Sequence, residues 1–144
     1  IDFLRNSGKL AFEQGYLVNL NGRRRYFIRP NAEDRQEYPL GEEDPLYRMR
    51  CGDIERQGGN FLIQSVNADM TKAAMVEIRT HKKKNKVRTE FMNAVYDEIV
   101  TITHKDDSPD FVEFKRKVMV DVSQKWIKTV PIVVEGEVLP YWTK

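Results

Sequence analysis

Cysteine is almost missing from this chain: Cys51 is the single one in 144 residues, so no intrachain disulfide can form and no cysteine-based zinc site can be built. A reducing compartment is the natural setting. Long apolar runs are missing as well. Segments such as Ile132 to Val134 fall far short of the ~20 residues that a membrane-spanning helix needs, and no basic stretch followed by an apolar one opens the chain. Neither a membrane partner nor secretion is expected. Histidine is scarce, and His81 and His104 stand too far apart, with no clustered partners, to indicate a zinc site; both are expected at the surface. No glycine-rich phosphate loop occurs, so no residue is singled out for binding an organic cofactor. The formal charge is only +2, which by itself says little about acidic partners. An initial methionine is also absent, and a start at Ile1 points to an excised, trimmed or partial chain.

What is present fits an ordinary globular domain. Hydrophobic residues make up 40% and charged residues 32%, and the length suffices for a core of its own. Residues 2 to about 14 are good helix formers and stop at Gly15, a residue at ease in the left-handed conformation of a helix end. Tyr16 to Leu20, then Asn21-Gly22, then Arg23 to Ile28 predict a basic β-hairpin. From Arg29 to about Tyr47 the prolines, a glycine and many acids predict a long exposed loop. Residues 49–63 and 67–81 predict two helices, with a break near Ser65, and Gly58-Gly59 weakening the first. Met70 and Met75 belong to the core, and Lys82 to Lys86 to a solvated linker with no assigned role. Two strands around a polar tip follow, then Ser108-Pro109-Asp110 as a helix start with Ser108 as N-cap. Phe111, Phe114, Val118, Val122 and Trp126 form an apolar stripe that should pack on a sheet, and Pro131 to Val134 supply a last strand. The order is that of an α+β fold with antiparallel strands and packed helices.

Two constellations could carry chemistry. Asp97 and Glu98 lie between apolar, β-prone runs, so a hairpin would hold adjacent carboxylates at its tip. Hard oxygen donors on rigid strands suit a divalent cation; a plain solvated turn explains the same acids. Arg56, Asn60 and Gln64 recur at four-residue steps, on one helix face. Such a face can follow a nucleic-acid duplex, with an amide donor meeting the acceptors that every base pair offers in the minor groove; it can equally be a water-facing stripe. Arg23, Arg24 and Arg25 would most simply hold backbone phosphates.

Taken in order, these segments resemble the end of the family A DNA polymerases, the DNA polymerase I type. Glu13-Gln-Gly-Tyr16 followed by Asn21-Gly-Arg-Arg-Arg25 is similar to that family's GY, variable strand, GRR hairpin. Glu55-Arg56, Asn60, Gln64, Ala68-Asp69, Lys72 and Ala74-Met75 resemble its ER, N, QG, AAD, K, AM pattern, and Val95-Tyr-Asp-Glu98 stands where motif C is usually Val-His-Asp-Glu. His104 to Asp107, Pro131 to Glu135 and Trp142 resemble the approach to its last helix, its closing strand and its terminal tryptophan. The chain departs from the pattern at Tyr96 in place of His, at Ser65 in place of Gly, and in a longer acidic loop between Pro30 and Glu55.

The resemblance implies the C-terminal portion of a right-hand polymerase fold with a palm-type antiparallel sheet. Residues 1–50 would hold a fingers-proximal helix, the basic hairpin and the loop, and residues 51–144 the palm with motif C. It implies template-directed nucleotidyl transfer by a two-metal mechanism with Mg2+. Asp97 would be a metal ligand, Glu98 a supporting catalytic carboxylate, and Gln64, Asn60, Arg56, Tyr96, Arg23 and Arg24 DNA contacts. Partners would be primer-template DNA, dNTP and the upstream remainder of the polymerase, in the cytoplasm of a bacterial or phage-infected cell. A hydrophobic face left open by that remainder would make the isolated chain self-associate. The competing expectation is a non-catalytic DNA-binding or scaffold subunit that keeps the fold, for which Tyr96 is the best argument.

Overall fold

The computed structural model describes residues 2–142 and divides into two compact units, Ile1–Val66 and Asn67–Lys144. Two separate two-stranded antiparallel sheets, one in each unit, combine with three helices in an α+β fold. In the first unit, helix α1 (Asp2–Gln14) ends where expected, with Gly15 at φ +74° accepting the left-handed turn. Strands β1 (Tyr16–Val18) and β2 (Arg24–Tyr26) then pair in the register Tyr16 with Tyr26 and Val18 with Arg24. The tip is organised by Asn19, whose side-chain oxygen accepts the amides of Asn21 and Arg23, while Gly22 adopts φ +79°. Ala11, Leu17, Phe27, Ile54 and Phe61 form the core of this unit.

Helix α2 runs without interruption over Pro45–Asn85, where two helices with a break were expected. Serine competes with the backbone for hydrogen bonds and so favours caps, but the buried Ser65 hydroxyl is occupied by the side-chain amide of Asn19 at 3.1 Å. The helix therefore passes straight through. Gly58 and Gly59 do not weaken it, because they lie where α1 comes closest. A Cβ on Gly58 would stand 2.5 Å from that of Ala11, and one on Gly8 would meet the Glu55 carbonyl oxygen at 2.5 Å. The stretch expected as an exposed loop is held as well: Tyr38 is fully buried, edge-on to Tyr47, and Arg50 donates to its hydroxyl at 2.8 Å. A short 3-10 turn at Gly41–Glu43 leads to Asp44, whose carboxylate accepts the Leu46 amide at 2.9 Å ahead of Pro45. That is a capped helix start with proline in the first turn.

In the second unit, Lys82 to Asn85 are helical, not a linker, and Lys86 at φ +52° ends α2. Lys82 pairs with Glu90 at 2.5 Å, and His81, expected at the surface, is half-buried with its ring stacked 3.5 Å from that of Phe114. Strands β3 (Thr89–Val95) and β4 (Glu98–Thr103) form the expected second hairpin. Helix α3 (Ser108–Trp126) begins one residue from the expected place: Asp107 is the N-cap and makes no side-chain cap bond, because its carboxylate is taken by Arg88. Of the α3 stripe, Phe111, Phe114 and Val118 pack against Ile99 of β4 and, beyond the expected sheet, against Ala74 and Ile78 of α2; Val122 and Trp126 are not part of this cluster. The last strand does not form. Residues 131–134 have no regular secondary structure, and two of their polar backbone groups go to α3 side chains and not to a neighbouring strand: the Ile132 amide to Gln124, and the Val134 carbonyl to Arg116.

Candidate functional site

The carboxylate hairpin is built from the second unit. Its ladder closes with Val95 opposite Glu98, leaving Tyr96 and Asp97 as the two residues of the turn. Tyr96 has φ +54°, a conformation costly for any residue with a bulky side chain. A ring held there by a short turn is pushed outward, and Tyr96 is 87% exposed. Asp97 and Glu98 are exposed too, so their oxygens face solvent. Neighbouring residues in sequence, they differ in setting: Asp97 sits in the turn, whereas Glu98 opens β4 and its Oε1 accepts the indole N–H of Trp142 at 3.2 Å.

Beneath this hairpin lies a residue that the sequence reading passed over. The Lys115 ammonium donates to the Ile99 carbonyl at 3.2 Å and to the Thr101 hydroxyl at 3.1 Å. Burial pushes its pKa down, and the charge of Glu98 opposes that shift. The available signal was a lysine four residues after Phe111 and three before Val118, a spacing that sets it, unlike its neighbours Arg116 and Lys117, beside the apolar stripe. The Trp142 contact had no local signal, since it joins positions 44 apart.

Hard oxygen donors are what magnesium prefers, and it demands near-octahedral coordination with several ligands. Asp97 and Glu98 fit that chemistry but are two carboxylates only. Among the described residues no group of three or more His, Cys, Asp or Glu side chains could hold a metal ion.

In the first unit, Arg56, Asn60 and Gln64 are all exposed on the same part of α2. Arg56 forms an ion pair with Asp53, one turn earlier. In the basic hairpin, Arg24 lies 5.0 Å from the centre of the Tyr16 ring and donates to the Tyr26 hydroxyl at 3.4 Å, which holds its pKa up. Arg23 precedes it at the hairpin tip, its amide bonded to Asn19. Arg25 is engaged differently: it donates to the Gln57 side chain at 2.7 Å and stacks over Phe27, fastening the hairpin to α2. No described helix is long and apolar enough to cross a membrane.

Comparison with known proteins gives a consistent pattern. The model of the family described as DNA polymerase family A matches residues 1–144. DNA polymerase I of Aquifex aeolicus (strain VF5) is 31% identical over 85 residues, which cover 59% of this chain and 15% of that protein. DNA polymerase I of Chloroflexus aurantiacus is 28% identical over 130 residues, 90% of this chain and 12% of that protein. A solved structure of the POL domain of Pol1 from M. smegmatis, in complex with DNA primer-template and dNTP, superposes with a TM-score of 0.64 at 25% identity, over 84% of this chain and 19% of that one. The chain thus spans less than a fifth of the length of each of these proteins.

Proposed function

This chain belongs to DNA polymerase family A, and we propose that it is the C-terminal part of a DNA-directed DNA polymerase that supplies the motif C carboxylate to template-directed nucleotidyl transfer. The observation that carries the reading is Asp97 in the two-residue turn of an antiparallel hairpin, in a chain that matches the family from end to end. Asp97 would hold Mg2+, with Glu98 as a supporting carboxylate. When bound, the metal supplies positive charge opposite the attacking and leaving oxygens of phosphoryl transfer.

The remaining assignments follow from what each side chain can offer. Gln64 and Asn60 present amide donors suited to minor-groove acceptors, which read correct pairing and not sequence. Arg56, Arg23 and Arg24 would hold phosphates, with an affinity that falls as salt rises. Tyr96 would direct its phenol toward the primer terminus, donating a hydrogen bond without charge. Residues 1–50 would belong with the fingers and 51–144 with the palm. The other ligands and the nucleotide grip would come from the rest of the polymerase, in the cytoplasm of a bacterial or phage-infected cell. Relatives that are bacterial DNA polymerases support that setting.

The test is primer extension by the polymerase that contains this chain. Asp97→Ala should lower incorporation by about a hundred- to a thousandfold, the scale on which a lost charge-stabilising group acts in a water-poor site. Primer-template affinity should stay within about threefold, because a solvent-facing carboxylate contributes little to holding phosphates. The 144-residue chain alone should extend nothing. Normal extension by Asp97→Ala would leave a DNA-binding or scaffold role as the better account.

A further inference from the structure

Past α3 the chain turns back along that helix as a strap without regular secondary structure. Gln124 Nε2 donates to the carbonyls of Ile127 at 2.5 Å and Val130 at 3.1 Å, and its Oε1 accepts the Ile132 amide at 3.4 Å. One turn pair earlier on the helix, Arg116 Nε donates to the Val134 carbonyl at 3.1 Å, with the same guanidinium held by Glu113. At Gly136 the strap is flush with the helix, since a Cβ there would stand 2.9 Å from Arg116 Cγ and from Val112 Cγ2. These anchors run backward along α3, from Gln124 to Val112, and further along the strap Trp142 donates to Glu98 Oε1. Among the described residues the second oxygen, Oε2, takes no hydrogen bond, and Lys115 is fixed on the strand that begins with Glu98.

We infer that Trp142 is a positioning residue for Glu98: the strap delivers one N–H donor that fixes the carboxylate by Oε1 and leaves Oε2 to serve the reaction. This rests on the reading of Asp97-Glu98 as the carboxylates of a polymerase. A side chain with three rotatable bonds at an exposed strand start would otherwise sample many rotamers, and a site needs its groups held by neighbours. A tryptophan merely burying area would be turned inward, whereas Trp142 is 51% exposed and contributes its polar edge.

Two measurements test this, and they fail separately. In the 144-residue chain, the indole N–H resonances are those of Trp126 and Trp142 alone, and Trp142→Phe assigns them. Glu98→Ala should shift the Trp142 signal and leave that of Trp126 in place; an unmoved Trp142 signal would remove the contact. In the complete polymerase, Trp142→Phe should slow maximal nucleotide incorporation about three- to tenfold, the worth of one hydrogen bond to a partly solvated carboxylate. The KM for dNTP and the melting temperature should hardly change. In a Glu98→Ala background the same substitution should have no further effect, while in Glu98→Gln, which keeps an acceptor, it should still slow the enzyme. Equal slowing with and without Glu98, or slowing matched by a lower melting temperature, would make Trp142 structural only. If Glu98→Ala itself left incorporation unchanged, the reading of Glu98 as a reaction carboxylate would fall and the positioning role with it, even where the resonance shift showed the contact intact.

Discussion

Three donors from one residue converge on Asp107: the Arg88 amide at 2.9 Å, Nε at 3.1 Å and Nη2 at 2.7 Å. The Arg88 side chain, followed by its backbone N–H, lowers the carboxyl from 3.8 to about 2. Between those values the unfolded chain binds more protons than the folded one. The stabilisation is therefore fully present above about pH 4 and is lost as pH falls through about 2. Arg88→Met should unfold at lower urea than the parent near neutral pH, with the two midpoints converging as the acid limit is approached. A gap that stays constant across the titration would mean that this pair does not set the acid sensitivity. The same network explains why Asp107 takes the N-cap position without capping, a detail hidden in a sequence that offered Ser108-Pro109 as the start. At residue scale Asp97 was legible because a turn between β-prone runs announces itself locally. Trp142 and Lys115 were not, because their partners lie 44 and 14 to 16 positions away.

At the scale of elements, α1 and α2 meet through glycines, and the contact can be tested at Gly8. Alanine ordinarily favours a helix over glycine by about 1 kcal/mol. Here the added Cβ would fall 2.5 Å from the Glu55 carbonyl oxygen, a backbone atom of another helix that cannot rotate away. Overpacking of this kind costs about 1–3 kcal/mol or more. Gly8→Ala should accordingly lower the stability of the first unit by about 1–2 kcal/mol in urea melts, against the propensity trend. An unchanged or raised midpoint would show that the helices can separate without loss. The continuity of α2 is the main difference from the sequence reading, and it arises from the same region. Glycines and a serine look like helix breakers when local propensity is weighed alone. Packing reverses the sign, because the glycines allow close approach and the Ser65 hydroxyl is satisfied by Asn19. The failed strand at 131–134 is the converse: Pro131-Ile-Val-Val has β propensity, but α3 side chains reach its backbone first.

For the whole molecule, the chain covers 12% and 15% of the length of two relatives, and its surface carries large apolar side chains. Ile28 is 94%, Leu20 73% and Phe3 60% exposed. Where such side chains join into one contiguous patch, a partner surface ordinarily covers it. The isolated 144-residue chain should self-associate as its concentration rises, by light scattering, and, if the proposed function holds, addition of the rest of that polymerase should suppress this. A clean monomer at high concentration would show that these side chains are too scattered to bind one another.

The sequence by itself determined the helix stop at Gly15, the two hairpins, the amphipathic stripe of α3 and the place of Asp97, because each depends on periodicity or turn chemistry within a few residues. Tertiary structure decided the unbroken α2, the buried Tyr38 inside an apparent loop, the strap in place of a strand and the hold of Trp142 on Glu98. Each of these turns on which of several competing groups a side chain or backbone group meets, and that competition is settled only when the chain is packed.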